Sequence, residues 1–223
     1  MMLLAIDTST SQMGLALYDG AQVLAESIWT SPQHHTVELA PAVAALLKQT
    51  EQKVGALTAL GVAIGPGSFT ALRVGLSFAK GLALARRLPV MGIPTLDVVA
   101  AAQPLADMLL AAVLQAGRGR LAVGWYEPAG NTWQSTGPAK VETVESLARA
   151  IHNPTIVCGE LHAEERQRLS RKRVNIVLSS AANSVRRPAI LAELAWARWQ
   201  EGRMDDVTAL APIYLHSSEP IPA

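Results

Sequence analysis

Residues 3–18 read LLAIDTSTSQMGLALY, and residues 111–126, 108 positions on, read AAVLQAGRGRLAVGWY. Each stretch runs from an apolar segment through a turn of small residues into a second apolar segment. Each ends on a tyrosine, Tyr18 or Tyr126, followed by an acid, Asp19 or Glu127. Identities are few, so the comparison gains weight only from what surrounds it. Working outward from the first copy, residues 3–6 and 13–18 predict two strands, Asp19-Gly20 marks a hairpin turn, and residues 21–29 give a third strand. Apolar residues at helical spacing (Leu39, Val43, Leu46, Leu47) predict a helix over about 36–50. A strand is expected at 57–64, a long helix at 69–87, a strand at 89–92 and a helix at 95–102. After the second copy, residues 131–135 predict a strand and 144–151 a helix. A strand at 155–158, a helix at 161–169 and a strand at 174–178 follow. A long helix then ends at Gln200, with Pro188 in its first turn.

Both halves thus give the order β-β-β-α-β-α-β-α. That order, used twice in one chain, is the duplicated ribonuclease-H-like α/β architecture of sugar kinases, actin and their relatives, the actin-like ATPase fold class. The expected division is a first lobe over 1–104 and a second, degenerate lobe over 105–223, with room for the extreme C-terminus to return to the first lobe.

Composition narrows the function. Half of the 223 residues are hydrophobic and 17% are charged, which excludes a disordered chain. Only 4% are aromatic, so the core must be built from Ala, Leu and Val. A formal charge of +1 argues against strong electrostatic capture of nucleic acid by this chain alone. The single cysteine, Cys158, excludes a disulfide framework and a thiolate zinc cluster, and reads as a buried core thiol. A reducing, cytoplasmic compartment follows as the expectation. The most apolar stretch, 98–114, is interrupted by Gln103, Pro104 and Asp107, so no membrane span is expected. The apolar start meets Asp7 at once and reads as a strand rather than a leader.

Two turns could meet a nucleotide. Asp7-Thr8-Ser9-Thr10 follows the first strand, where a duplicated ATPase places a metal-binding acid and phosphate-binding amides; favoured turn residues explain it equally well. Gly65, Gly67 and Ser68 of Gly65-Pro66-Gly67-Ser68 lie between a strand and a helix. There glycines permit close backbone approach, Ser68 caps the helix, and an anion could sit. No lysine follows in Walker order. The 108-residue slide sets Gln115-Ala116-Gly117-Arg118 against the first turn, without its acid or its hydroxyls. One half of the clamp is therefore missing, which disfavours an independent ATPase or kinase. Adjacent His34 and His35 project differently, and no HxxxH pair occurs, so no metal site and no catalytic residue are assigned. Glu160, His162, Glu164 and Glu165 read as a solvated helix start. The basic run Arg166, Arg168, Arg171, Lys172 and Arg173 is either a solvated helix end or a contact for RNA phosphates.

The helix over 69–87 is apolar or small nearly all round. One stripe is Leu72, Leu76, Ala79 and Ala83; another is Val74, Phe78, Leu82 and Ala85. Such a helix is covered on two sides, one by its own sheet and the other by either a partner or the rest of the chain. Small residues Gly75, Ala79 and Ala83, four apart, would admit a second helix closely.

Leu4-Ala5-Ile6-Asp7-Thr8-Ser9-Thr10, then His35 with Pro41 and Leu46-Leu47, and above all Gly65-Pro66-Gly67-Ser68-Phe69-Thr70 followed by Leu72-Arg73-Val74-Gly75, resemble the TsaB family. The tail Pro212-Ile213-Tyr214-Leu215 fits it as well. Ala71, Gln115-Ala116 and His216 depart from its usual residues. The resemblance implies a non-catalytic relative of TsaD in threonylcarbamoyladenosine synthesis on tRNA, with TsaD and the ATPase TsaE as partners and tRNA reached through the complex. It implies no cofactor. It also implies a partner surface on the two first-lobe helices, here expected at Leu39, Val43, Leu46, Leu72, Leu76, Ala79 and Ala83. A homodimer is expected when TsaD is absent. A stand-alone metallopeptidase of glycoprotease type, or a small-molecule kinase, is the alternative.

Overall fold

The structure, a computed structural model, describes residues 1–171 and 174–215. Lys172, Arg173 and His216 lie outside the described residues. The chain divides into two compact units, Met1–Val98 with Arg187–Ile213, and Val99–Arg186 with Tyr214 and Leu215.

In the first unit, β1 (Leu3–Asp7) pairs antiparallel with β2 (Gln12–Tyr18), and β2 with β3 (Val23–Thr30). Helix α1 (His35–Gln49) leads to β4 (Ala59–Ala63), which lies parallel to β1. Helix α2 (Phe69–Arg86) then leads to β5 (Val90–Ile93), parallel to β4, and to α3 (Thr95–Ala101). The sheet order is β3-β2-β1-β4-β5. Every residue of β1 is buried, because its alternate side chains feed two cores. Leu4 and Ile6 join Met13, Leu15, Leu17, Leu60 and Val62 under α1 and α2. Leu3 and Ala5 join Ala16, Ala59, Ala63, Met91 and Ile93 on the other face.

That second face is covered by α6 (Pro188–Gln200), through Leu191, Ala192 and Ala195. The sequence places this helix in the lobe beginning at residue 105; the structure packs it on the first sheet. The reason is a matched pair of flat surfaces. A Cβ at Gly61 would stand 2.7 Å from the Ala195 Cβ, and one at Gly14 would stand 3.0 Å from the Pro188 Cγ. Alanines and glycines on both sides let helix and sheet approach closely. Beyond α6 the chain straps the open sheet edge. Asp205 bridges Val90, its Oδ2 accepts from Gly92 N at 2.7 Å, and Arg198 donates to Asp205 and to the Gly92 carbonyl. Lys80 Nζ donates to the carbonyls of Thr208 and Leu210, and Ile213 N to that of Ile64.

The second unit repeats the topology. Its strands are β6 (Leu109–Gln115), β7 (Arg120–Ala129), β8 (Thr132–Ser135), β9 (Lys140–Thr143), β10 (Thr155–Gly159) and β11 (Ile176–Leu178). The order β8-β7-β6-β10-β11 matches that of the first sheet. Helices α4 (Val144–Ala150) and α5 (Ala163–Ser170) cover one face through Val144, Leu147, Ala148 and Leu169. The one expected third strand is two, since β8 pairs the end of the long β7 and β9 pairs its start. The duplicated actin-like α/β fold therefore stands, with α6 reassigned.

Candidate functional site

The turn after β1 is buried throughout: Asp7, Thr8, Ser9 and Thr10 are each no more than 6% exposed. Its polar groups are spent inside the first unit. Ser9 N donates to Asp7 Oδ1 at 2.8 Å, which closes the turn. Thr8 Oγ1 donates to the Ala71 carbonyl at 2.7 Å, in the first turn of α2. Ser9 Oγ and Thr95 Oγ1 lie 2.8 Å apart, and Gly65 N donates to that same Thr95 hydroxyl at 3.0 Å. Ser68 N donates to the Ser9 carbonyl at 2.7 Å. His35 Nε2 is 2.8 Å from the Thr10 carbonyl oxygen, while His34 is exposed, so the two imidazoles do diverge.

The structure therefore brings Ser9 directly against Gly67 and Ser68 and, through Thr95, to Gly65, as a closed seam, while Thr8 meets α2 and the Thr10 carbonyl meets His35. A Cβ at Gly67 would overlap the Ser9 carbonyl oxygen, and one at Gly75 would overlap Thr8 Oγ1. Glycine is required here so that the turn and α2 can touch. Thr95, which sequence reasoning passed over, is the hydroxyl that ties the two loops together.

The second unit shows how the matching turn is filled. With Tyr18 and Tyr126 taken as equivalent, Gly14 corresponds to Ala122. Asp7 pairs with Gly14, whereas Leu114 pairs with Ala122, so the strand register slips by one residue from the ungapped slide. A buried leucine takes the place of the acid. Gln115 comes next, and its Nε2 donates to the Glu160 carbonyl at 3.2 Å and to Glu165 Oε2 at 2.7 Å. The same Glu165 oxygen accepts from His162 N at 2.6 Å, at the start of α5. Arg186, 2% exposed, is ion-paired with Glu160. Of the expected solvated helix start, His162 and Glu164 are indeed exposed, whereas Glu160 and Glu165 turn inward. Glu165, 8% exposed, is an internal carboxylate lying where a helix N-terminus attracts anions. Among the described residues, no group of three or more His, Cys, Asp or Glu is placed to hold a metal ion. Burial pushes the Cys158 thiol up to about 12, so it is not a nucleophile at neutral pH.

The helix surface requires a correction. Leu39, Val43, Leu46, Leu72, Leu76, Ala79 and Ala83 are all no more than 5% exposed, and all but Leu72 belong to the core between sheet and helices. Leu39 alone of the seven lines the groove described next, as part of its buried floor; the other six offer no surface. The stripe Leu72-Leu76-Ala79-Ala83 faces the sheet, and Val74, Phe78 and Leu82 are the half-buried flank. What α1 and α2 do present is an open groove of about 490 Å³. Thr36, Ala40, Phe69, Thr70, Arg73 and Ser77 are its exposed lining, with Val74 and Phe78 half-buried behind them. Phe69 is 54% exposed, and the Arg73 guanidinium lies 3.7 Å over its ring centre.

A family profile described as "TsaD: tRNA N6-adenosine threonylcarbamoyltransferase" matches residues 22–217. The Bacillus subtilis protein named tRNA threonylcarbamoyladenosine biosynthesis protein TsaB is 30% identical, over 98% of this chain and 96% of its own. The structure titled YeaZ from Pseudomonas aeruginosa superposes with a TM-score of 0.80 at 25% identity, over 96% of this chain and 99% of that one. A ROK hexokinase from Thermus thermophilus, at a TM-score of 0.50 and 12% identity over 91% of this chain and all of that one, shares the fold alone.

Proposed function

The chain belongs to the TsaB family of tRNA threonylcarbamoyladenosine biosynthesis proteins, within the wider TsaD-type family, and on that premise we propose that it is the non-catalytic subunit that docks on TsaD and supports its activity. The carrying observation is that both loops where this fold meets a nucleotide are closed by the chain's own groups. In the first unit the hydroxyls of Thr8 and Ser9 are bound to Ala71 and Thr95. In the second, Glu165 lies at the α5 N-terminus. Phosphate binding there would require breaking several buried hydrogen bonds, each costing about 1–3 kcal/mol when left unsatisfied. Neither a kinase nor a metallopeptidase draws support from that arrangement.

In this reading the docking surface is the groove between α1 and α2. Its exposed Phe69 and half-buried Phe78 supply the aromatic anchors that protein interfaces favour, and Ala40 and Ser77 are small enough to admit a helix. TsaE joins the assembled pair, tRNA is reached through the complex, and a second copy of this chain occupies the groove when TsaD is absent.

The test is co-expression with TsaD of the same organism, followed by size-exclusion chromatography. Wild type is expected to co-elute with TsaD. Ala40→Glu/Ser77→Glu, two exposed positions, is expected to elute apart while keeping its melting temperature, since such substitutions change stability by about 0.5 kcal/mol or less each. Wild type eluting alone defeats the subunit reading. A variant that still co-elutes defeats the assignment of this groove.

A further inference from the structure

We infer that the groove between α4 and α5 of the second unit is a docking site for an RNA phosphodiester backbone, a reading that rests on the chain's role in a tRNA-modifying complex. The two helices lie side by side over the sheet and enclose a cleft of about 370 Å³. Arg149, Arg168 and Arg171 line it, with Glu145 the one acidic lining residue and Val144 and Ala148 beneath. This pair of helices corresponds by topology to α1 and α2 of the first unit. There the equivalent groove has an exposed phenylalanine and a single arginine, engaged over that ring. Here Val144 and Ala148 are 3% and 7% exposed, so little apolar area is left to anchor a protein helix. What the cleft offers is guanidinium.

The three arginines differ in what holds them. Arg168 Nη1 is 2.8 Å from Glu145 Oε1, and its Nη2 is 4.0 Å from Glu164, so that side chain is already oriented. Arg149 closes α4 and Arg171 follows α5, where helix carbonyls favour cations. Both are exposed, and among the described residues neither side chain has a hydrogen bond or an ion pair. Two free forks beside an oriented third suit phosphate oxygens, which guanidinium binds in bidentate geometry. The whole chain carries only +1, so its general field contributes little, and salt-dependent RNA binding by the chain, alone or in a larger assembly, rests on such a local cluster.

The experiment measures tRNA affinity against salt from 50 to 200 mM, by fluorescence anisotropy with a labelled tRNA transcript. It is done on the full chain alone and on its complex with TsaD. Arg149→Gln/Arg171→Gln removes two phosphate contacts. The slope of log affinity against log salt should flatten by about 1.4–1.8, and affinity at 50 mM should fall about tenfold to a hundredfold. Arg149→Lys/Arg171→Lys, which keeps the charge, should keep the slope. Co-elution of the glutamine variant with TsaD should be unchanged, which separates this site from the α1–α2 groove. Failure of wild type to bind TsaD counts against the subunit reading, and the slope on the chain alone still judges this one. An unchanged slope in the glutamine variant, or no salt-dependent tRNA binding by either wild-type sample, overturns the inference. So does a polyglutamate chain whose binding is lost in the glutamine variant while tRNA binding is not, because the occupant would then be an acidic protein.

Discussion

Replacing Gly75 by alanine sets two effects of known size against each other. In the interior of α2 the change should gain about 1 kcal/mol of helix propensity. Yet the new methyl would overlap Thr8 Oγ1 and stand 3.1 Å from Thr8 Cγ2 and 3.2 Å from its Cβ. Thr8 is 1% exposed and β-branched, so rotation of its side chain brings one branch into the place of the other. Overpacking costs about 1–3 kcal/mol. Displacing the hydroxyl also breaks its 2.7 Å bond to the Ala71 carbonyl, for about 1–3 kcal/mol more if that buried group finds no other partner. The losses exceed the gain by about 1–5 kcal/mol. For a chain of this size each kcal/mol is about 2–4 °C, so the melting temperature should drop by roughly 2–20 °C. The assay is a thermal melt by circular dichroism on wild type, Gly75→Ala, Thr8→Ala and the double variant. In the Thr8→Ala background the overlap is gone, and Gly75→Ala should be neutral or stabilising, giving a coupling of at least about 1 kcal/mol. A rise in melting temperature for Gly75→Ala alone, or strict additivity of the two changes, would refute the close-contact account of this glycine.

Three further outcomes follow from the same geometry. Ala79→Glu places a carboxylate at a fully buried position and should cost several kcal/mol, seen as loss of soluble, folded chain; a well-folded variant would mean that this stripe faces outward after all. Cys158, held near 12 by burial, should not react with a thiol reagent at pH 8 in the native chain and should react stoichiometrically in guanidinium; native-state labelling within minutes would contradict its placement. The Trp29 indole N–H donates to Glu38 Oε2 at 2.9 Å and holds that carboxyl below its ordinary 4.5. A carboxyl with a depressed folded value stabilises above its unfolded value, and that stability is lost as pH falls through the folded one. The stability gap between wild type and Trp29→Phe should therefore narrow in acid below about pH 4.5, and a gap independent of pH would sink the coupling.

The first half of the chain was legible almost element by element, because its strands alternate or run apolar and are punctuated by Asp19-Gly20 and Gly65-Pro66-Gly67-Ser68. Which face of α2 meets the sheet was not legible. Two apolar stripes run along it, and hydrophobic pattern alone cannot rank them. The small residues were the misleading signal. Gly75 and Ala79 read as room for a partner helix, whereas Gly75 makes room for the Thr8 turn and Ala79 for the sheet core. The attachment of α6 had a usable cue that went unused. Gly14, Ala16, Gly61 and Ala63 in otherwise bulky strands mark a close approach, and alanine-rich α6 is its complement. In the second unit the ungapped slide missed one extra residue in the turn, so Gln115 stood for an acid whose register place is held by Leu114. No composition rule could show that Glu165 turns inward to an amide and a glutamine.

The first unit is assembled from two stretches of chain that ribosomes make at different times. Met1–Val98 is complete while the segment that supplies its last helix, beginning at Arg187, is still unwritten. At about 5–20 residues per second the interval is roughly 4–18 s. Throughout it the nascent chain carries a sheet with one bare face: Leu3, Ala5, Ala16, Ala59, Ala63, Met91 and Ile93, with no α6 to cover them. A premature stop anywhere before residue 187 therefore injures the beginning of the protein as much as its end, and a gene cut at the middle would yield a first half that sticks to whatever apolar surface it meets.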